Sequence, residues 1–174
     1  MDASLLIARL ESFGKALPGV VGCVSETDAR WKPPSGAWSV LEIVNHLADE
    51  ETDDFRMRVE MTLRDPQLEW PKIEPEEWGR SRLLDGQTYN ERELGRSLAR
   101  FVNERAASVA WLRSLRSPDW SRAHIHPRGG PLSAGLLLAS WAAHDALHLR
   151  QIAKRMYELA AREEQVGYAG TWGA

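Results

Sequence analysis

Apolar residues recur at helical spacing in four stretches of the chain, and segments rich in proline, glycine and charged residues separate them. In the first stretch, Leu6, Leu10, Phe13 and Leu17 share one face because each lies three or four residues after the last. The other three stripes are Val40, Val44, Leu47, Ala48, Phe55 and Val59; Leu94, Leu98, Phe101, Val102, Val109 and Leu112; and Leu137, Trp141, Ile152 and Leu159. No segment alternates convincingly as a strand would. The pattern therefore predicts an all-α chain of four long helices.

Capping residues mark where these helices are expected to begin. Asp2 can cap the first helix, Ser39-Val40-Leu41-Glu42 is a capping box for the second, and Asn90 and Ser133 can cap the third and fourth. The helices are expected to end near Val24, Leu63, Leu115 and Glu163. Pro18 is expected to kink or restart the first helix, because proline removes a backbone donor.

The segment Arg64–Gln87 is a long connection between the second and third helices. Connections of this length are unusual in a compact domain. We expect it to carry a helical turn around Glu76–Leu84 and to cross from one end of a bundle to the other. The third helix would then run parallel to the second.

Length, composition and charge bound the possible functions. The 174 residues are expected to form one domain, residues 1–174, with its core at about residues 4–160 and a loose tail at 167–174. The net charge of −3 argues against a nucleic-acid partner and against an anionic membrane surface. The single cysteine, Cys23, excludes an intrachain disulfide and is expected in the core. With no visible signal peptide and no membrane-length apolar run, these features predict a cytoplasmic protein.

Two histidines interrupt the apolar face of the fourth helix. No charged side chain occurs from Leu132 to Ala143, and then His144 and His148 follow four residues apart, with Gln151 one turn further on. Side chains at this spacing lie one above the other. Because a buried imidazole is costly unless it is satisfied, either each ring has its own partner or the two share a divalent metal.

His46 on the second helix can reach the same depth. With the second and fourth helices antiparallel, His46 lies about 24 Å from one end of the bundle, and His144 and His148 average about 20 Å from that end. Three imidazoles with a free fourth position are typical of a catalytic metal site. Such a site can lower the pKa of a bound water or bind a thiolate.

Other interpretations of these histidines stay open. They can be structural residues with ordinary hydrogen bonds. His144-Asp145-x-x-His148 also mimics the zincin His-Glu-x-x-His motif, although the shorter aspartate would have to act as the general base. A di-iron carboxylate bundle is set aside, because no glutamate stands three residues before any of the three histidines.

The carboxylates that follow His46 are interpreted most simply as a solvated face. Asp49, Glu50, Glu51, Asp53 and Asp54 form this acidic run. Glu51 fits that interpretation worst, because it falls within the apolar sector. Glu50 lies one turn below His46, so either glutamate can reach a metal site.

Residues near the fourth helix also have two interpretations each. Asp145 can orient a ligand ring or pair with Arg150. Gln151 can point into a pocket or face solvent. His124 and His126 are expected at the surface or at a pocket rim.

Two stretches resemble the signatures of a known family. Trp38-Ser39-Val40-Leu41-Glu42-Ile43-Val44-Asn45-His46-Leu47-Ala48-Asp49 resembles the first signature of the DinB-like (YfiT-like) superfamily, and His144-Asp145-Ala146-Leu147-His148-Leu149-Arg150-Gln151-Ile152 resembles the second. Trp31-x-Pro33, Trp78 and His126-Pro127-Arg128-Gly129 resemble one branch of it. The resemblance covers about residues 4–156.

This resemblance implies a four-helix bundle of up-down-down-up order that forms a homodimer. It also implies a divalent metal on a histidine triad, matched here by His46, His144 and His148. Imidazole suits zinc, nickel, copper and iron alike, and zinc or nickel is expected. Characterised relatives include S-transferases that use low-molecular-weight thiols and a mycothiol-dependent maleylpyruvate isomerase.

Two hypotheses of function follow. In the first, the protein is a metal-dependent transferase or hydrolase that activates a thiol or water for attack on a small electrophile. Trp38, Trp141 and the long connection would wall its pocket, and no catalytic residue beyond the metal ligands is identified. In the second, the bundle is a dimeric binding or stress-response module with a structural or vestigial metal site and no turnover.

Overall fold

A computed structural model describes residues 1–72, 83, 84, 86–127, 129–163, 169, 170 and 172. Within these residues six α-helices and two short β-strands are defined, and a π-helical turn joins the third and fourth helices. Their bounds are α1, Ala3–Val21; α2, Glu26–Arg30; α3, Val40–Glu50; the π-helical turn, Glu51–Phe55; α4, Arg56–Arg64; α5, Leu94–Ser114; β1, Ala123–His126; β2, Gly130–Ser133; and α6, Ala134–Glu163.

Three of the predicted helix starts are confirmed by their capping bonds. Asp2 accepts a hydrogen bond of 3.0 Å from a backbone N–H in the first turn of α1. Ser39 and Glu42 form the full capping box of α3, with bonds of 3.1 and 2.8 Å. Ser133 accepts a bond of 3.0 Å from the first turn of α6. These side chains satisfy backbone donors that have no partner inside the helix.

Two predicted boundaries are wrong. Asn90 does not cap the third long helix, because the Thr88–Glu91 capping box closes a separate 3₁₀ turn, Tyr89–Glu91, and α5 begins only at Leu94. The first helix is not restarted at Pro18 but continues through it to Val21. Pro18 has no N–H to donate to the carbonyl of Gly14, so the helix lacks one backbone hydrogen bond there.

The expectation of no strand is also wrong. β1 and β2 form an antiparallel hairpin that leads directly into α6, with the register Ala123↔Ser133, His124↔Leu132, Ile125↔Pro131 and His126↔Gly130. Gly130 has φ of 69°, a left-handed conformation that favours glycine at the start of the returning strand. Each strand has only four residues, which is too short for an alternating pattern to be recognised.

The contacts between helices establish the up-down-down-up order of a four-helix bundle. Between the α3–α4 segment and α5, the residue numbers of contacting partners increase in the same direction. The pairs are Asn45 with Ser97, Glu51 with Arg105 and Arg56 with Ser108. Those helices are therefore parallel. Contacts of α3 with α6, and of α1 with α5, run in opposite directions: His46 with His144, Glu51 with Trp141, Phe13 with Phe101 and Leu10 with Arg105.

The bundle core consists of two apolar clusters with charged residues between them. Leu17, Leu47, Phe101 and Ile152 belong to one cluster, and Leu10, Val109, Leu138 and Trp141 belong to the other. Along the helices the buried residues Glu51, Arg105 and Asp145 fall between members of the two clusters. A layer of buried charge therefore crosses the bundle.

Some sequence expectations concern residues that the structure does not describe. The helical turn at Glu76–Leu84, the side chain of Trp78 and most of the 167–174 tail lie outside the described residues. In the described part of the tail, Gly170 accepts a bond of 2.9 Å from the Tyr157 hydroxyl. Cys23 is exposed rather than in the core. None of the helices in the described ranges is both long and apolar enough to cross a bilayer.

Candidate metal centre

Three imidazoles from two helices converge on one point. The Nε2 atom of His144 lies 3.4 Å from Nε2 of His46 and 3.0 Å from Nε2 of His148. One nitrogen from each of the three rings lies within 4.8 Å of the other two. His46 is on α3, and the other two are one turn apart on the antiparallel α6. The crossover of the chain therefore brings all three to a common depth.

Gln151 fixes the tautomer of His148. The Nδ1–H of His148 donates to Oε1 of Gln151 at 2.8 Å. A neutral imidazole carries one N–H, so Nε2 of His148 presents a lone pair to the other two rings. Gln151 is largely solvent-exposed yet makes this bond, and it does so three residues after His148 on the same helix face.

Glu50 lies behind the ring of His46. Its Oε1 is 3.7 Å from Nδ1 of His46, which is too long for a hydrogen bond. Both atoms are buried, and neither has a hydrogen-bond partner among the described groups. Burial, with the nearby Asp54 carboxyl group, raises the pKa of Glu50 well above its usual range.

Burial keeps the three imidazoles neutral. Desolvation, together with the two neighbouring histidines, lowers the pKa of His46 to about 2. The pKa of His144 falls to about 3, first through burial and then through His148 and Arg105. Burial lowers the pKa of His148 to about 4, although its bond to Gln151 opposes this. Neutral imidazole is the form that binds a metal ion.

The donor set fits a divalent ion. Three Nε2 atoms at these distances cannot all be satisfied by imidazole N–H groups, because Nε2 of His148 is an acceptor and one proton on His144 cannot satisfy two neighbours. Nitrogens bound to zinc at about 2.0–2.1 Å in tetrahedral geometry lie about 3.3 Å apart. The observed separations of 3.4 and 3.0 Å are close to this value.

Aromatic side chains form walls around the triad. The Trp38 ring lies edge-on to His46, with centroids 4.8 Å apart, and parallel to His148 at 6.4 Å. The ring of Phe55, in the π-helical turn, lies edge-on to the ring of His144, with centroids 5.2 Å apart. The ring of Trp141 stacks on that of Phe55, with centroids 5.7 Å apart.

Asp145 does not pair with Arg150, the partner weighed from the sequence. Its two oxygens instead accept from Nη1 and Nη2 of Arg105 at 2.6 and 2.8 Å. Arg105 also donates from Nε to Oε1 of Glu51 at 2.8 Å, and the Trp141 indole donates to the same oxygen at 3.0 Å. Although burial alone lowers the pKa of Arg105, the bond to Asp145 and the charge of Glu51 outweigh it and hold that pKa above its usual range.

The acidic run after His46 is not a solvated face. Asp49, Glu50, Glu51 and Asp54 are all buried, with at most 6% of each residue exposed. Arginines compensate three of them: Arg100 pairs with Asp49, Arg105 with Glu51 and Arg58 with Asp54. The sequence did not identify these arginines. One signal was available, since both Arg105 and Glu51 fall within apolar stripes and carry opposite charges.

His124 and His126 lie far along the chain from the triad and face a different cavity. His124 is buried on β1, stacks on Trp70 with centroids 4.2 Å apart, and its Nδ1 is 3.0 Å from the Pro66 carbonyl oxygen. With His126 it lines a cavity of about 950 Å³ between the hairpin and residues 66–72. None of the three converging histidines lines this cavity. The candidate metal centre therefore lies outside it.

Comparison with known proteins agrees with this geometry. The family model described as the DinB superfamily matches residues 9–152. The chain belongs to the DinB superfamily. The matched range contains all three converging histidines, His46, His144 and His148.

Two relatives of the chain carry the name "Putative metal-dependent hydrolase". One, from Oceanobacillus iheyensis, is 31% identical over 148 residues, which cover 84% of this chain and 81% of the relative. The other, YfiT of Bacillus subtilis, is 29% identical over 137 residues, covering 75% and 73%. A solved structure of Bacillus subtilis YfiT, described as "a probable metal-dependent hydrolase with an unusual four-helix bundle topology", matches with a TM-score of 0.77 at 20% identity. That match covers 91% of this chain and 87% of the solved one.

Proposed function

We propose that this protein is a metal-dependent enzyme in which His46, His144 and His148 hold one divalent ion, zinc or nickel, and that it hydrolyses, or transfers a thiol to, a small electrophile. The observation that carries the proposal is the convergence of three neutral imidazoles from two helices, with their nitrogens within 4.8 Å of one another. The names of the curated relatives support hydrolysis, and the family resemblance of the two signatures supports thiol transfer.

A divalent ion held by His46, His144 and His148 would supply Lewis acidity, which lowers the pKa of a bound water or thiol. The residues of the chain prepare the three ligands for it. The low pKa values of the three histidines keep their lone pairs available throughout the neutral range. Gln151 holds His148 in the tautomer that presents Nε2, as partners of ligating histidines commonly do.

The surroundings of the triad limit access of water. Trp38 and Phe55 contact the histidine rings, so a substrate that enters must displace solvent from an aromatic surface. A water-poor site strengthens electrostatic interactions inside it. The Glu50 carboxyl group, 3.7 Å from the back of His46, is the nearest candidate for a second orienting partner.

Metal analysis of the untagged protein tests this proposal. We expect about one divalent ion per chain, loss of that ion in His144→Ala, and its retention in His126→Ala, a matched control on the hairpin outside the triad. Removing the metal should abolish turnover of a panel of ester, amide and thiol-acceptor substrates while the fold is retained. Absence of metal in the wild-type protein, or retention of metal in His144→Ala, would overturn the proposal.

The same measurements separate a catalytic site from a structural one. If the metal only supports the fold, its removal should unfold the protein, because structural sites contribute folding free energy directly. If the site is catalytic, the circular dichroism spectrum should persist and activity should return when the ion is added back.

A further inference from the structure

A second, smaller cavity lies beside two side chains that contact the histidine triad, although none of the three histidines lines it. Its volume is about 300 Å³, and its walls include Trp38 and Gln151. Trp38 contacts the rings of His46 and His148, and Gln151 accepts the Nδ1–H of His148. Two side chains that line the cavity therefore contact the triad. We call this cavity the cationic groove for the charges described next.

Among the residues that the structure describes, three cationic side chains and no carboxylate line the groove. Arg150, Lys154 and Arg155 all come from α6, on the turns that follow His148. Arg155 is buried and pairs with Glu158 at 2.7 Å. Arg150 and Lys154 have no ion pair or hydrogen bond from their side chains to any residue that the structure describes. Two of the three charges are thus uncompensated in a chain whose net charge is −3.

The remaining walls are apolar. Ile43, which is buried, and Leu147, which is 50% exposed, line the groove together with Trp38. An apolar surface of this kind binds the carbon body of a ligand, while the few charged groups determine its orientation. Arginine and lysine are the side chains that bind carboxylate and phosphate oxygens.

We propose that the cationic groove binds the anionic group, a carboxylate or a phosphate, of the small molecule that reacts at the metal centre. This inference rests on the proposed function, because the groove would anchor a substrate whose reactive end lies at the triad. The substrate class is then a small organic anion rather than a neutral electrophile. Arg150 and Lys154 are positioning residues in this scheme, since they do not contact the reacting atoms.

Binding of a matched pair of probes tests the groove. Succinate and its neutral analogue succinamide have nearly the same shape and differ in charge. With the metal-loaded protein, we expect succinate to shift the Trp38 indole NMR signal, assigned with Trp38→Phe, and succinamide to leave it unchanged. Added salt should weaken the succinate effect. Inorganic phosphate in a parallel titration distinguishes a phosphate site from a carboxylate site.

Charge-neutral variants identify the residues responsible. Arg150→Gln with Lys154→Gln should weaken succinate binding by about fivefold to tenfold, as the loss of two partly solvated ion pairs would. Arg9→Gln with Arg116→Gln, both exposed and outside the groove, makes the same change in net charge and should leave binding unchanged. Equal binding of succinate and succinamide, or unchanged binding in the Arg150/Lys154 variant, would overturn the inference.

Failure of the groove and failure of the metal function give different results. In His144→Ala the groove residues are intact, so succinate should still shift the Trp38 signal even though the metal is lost. If the wild-type protein binds succinate but shows no metal-dependent turnover, the proposed function fails and the anion site stands. If turnover is metal-dependent but equally fast for charged and neutral substrates, the groove inference fails and the proposed function stands.

Discussion

Arg105 donates from Nη1 and Nη2 to both carboxylate oxygens of Asp145, at 2.6 and 2.8 Å, and Asp145 directly follows the candidate metal ligand His144. The same guanidinium donates to Glu51 and to the carbonyl oxygen of Leu10. One side chain on α5 therefore connects α1, the π-helical turn and α6. The π-helical turn continues α3, and the three histidines come from α3 and α6. The bonds of Arg105 therefore hold these two helices at a defined position relative to each other.

Replacing Arg105 should be strongly destabilising. In Arg105→Met two buried carboxylates lose their counter-charge, and breaking a buried ion pair on one side typically costs about 3–5 kcal/mol. Urea denaturation measures the loss. In Arg105→Met combined with Glu51→Gln and Asp145→Asn, much of the stability should return, because no uncompensated charge remains.

A surface ion pair provides the control for this variant. Arg113 pairs with Glu11 at 2.7 Å, and its side chain is 53% exposed. Arg113→Met should change the free energy of unfolding by less than about 1 kcal/mol. Equal effects of Arg105→Met and Arg113→Met would show that the buried network does not stabilise the bundle.

Gly14 makes room for the Arg105 side chain. A Cβ atom at Gly14 would lie 2.7 Å from Cγ of Arg105, whose guanidinium is held by its hydrogen bonds. We expect Gly14→Ala to destabilise the protein by about 1–3 kcal/mol, because the displaced stem outweighs the gain in helix propensity. Thermal denaturation checks this change.

Gly19 in the same helix is the matched control. A Cβ atom there would meet nothing within 4 Å. Gly19→Ala should therefore stabilise the protein by about 0.5–1 kcal/mol through helix propensity alone. If both alanine variants are stabilised alike, close packing between α1 and Arg105 does not constrain the buried network.

The sequence predicted the long helices well because their signals are local. Asp2, the Ser39–Glu42 box and Ser133 act within one turn, and the apolar stripes repeat over many residues. The depth of His46 relative to α6 also followed from the helical rise and the crossover alone. Features that depend on neighbouring residues, or on the rise of a helix alone, could be predicted from the sequence.

The charged interior was not recoverable in the same way. A run of acidic residues after His46 has the composition of a solvated face. The burial of Asp49 and Glu51 in that run depends on Arg100 and Arg105, which come from α5 and are distant in sequence. The hairpin was missed because four-residue strands carry too few positions to show a period. The first error concerns pairing between residues distant in sequence, and the second concerns a local element too short to show a period.

Gln151 should control metal affinity without supporting the fold. Gln151→Leu removes the acceptor for Nδ1–H of His148, and loss of such a partner typically lowers metal affinity by about 10–100-fold. Competition with a chromophoric chelator measures the affinity. Gln151→Glu keeps an acceptor oxygen and should bind metal at least as tightly as the wild-type protein. Equally tight binding in Gln151→Leu would mean that this bond does not orient the ligand.

The histidines should also determine how the metal-free protein responds to acid. The folded-state pKa of His144 is lowered to about 3, whereas in the unfolded chain it is about 6.5. As pH falls below about 6.5, the unfolded chain binds a proton that the folded chain does not, so this histidine makes stability fall with decreasing pH. The contribution approaches about 1.4 kcal/mol per pH unit for one fully buried histidine.

The comparison of two variants isolates this contribution, because Asp54, whose pKa burial raises to about 6, acts with the opposite sign in the same pH range. A buried carboxyl group of this kind favours the folded state as pH falls, and it is present in every variant. Urea denaturation of chelator-treated protein between pH 5 and 7 should therefore show His144→Gln gaining about 1 kcal/mol relative to the wild-type protein per unit of acidification. His126→Gln, at a half-exposed hairpin position outside the triad, is measured alongside as the control for replacing a histidine. If the curve of His144→Gln is parallel to that of the wild-type protein, burial does not keep this imidazole neutral. Protons would then compete with a metal ion for the ring nitrogen near pH 6.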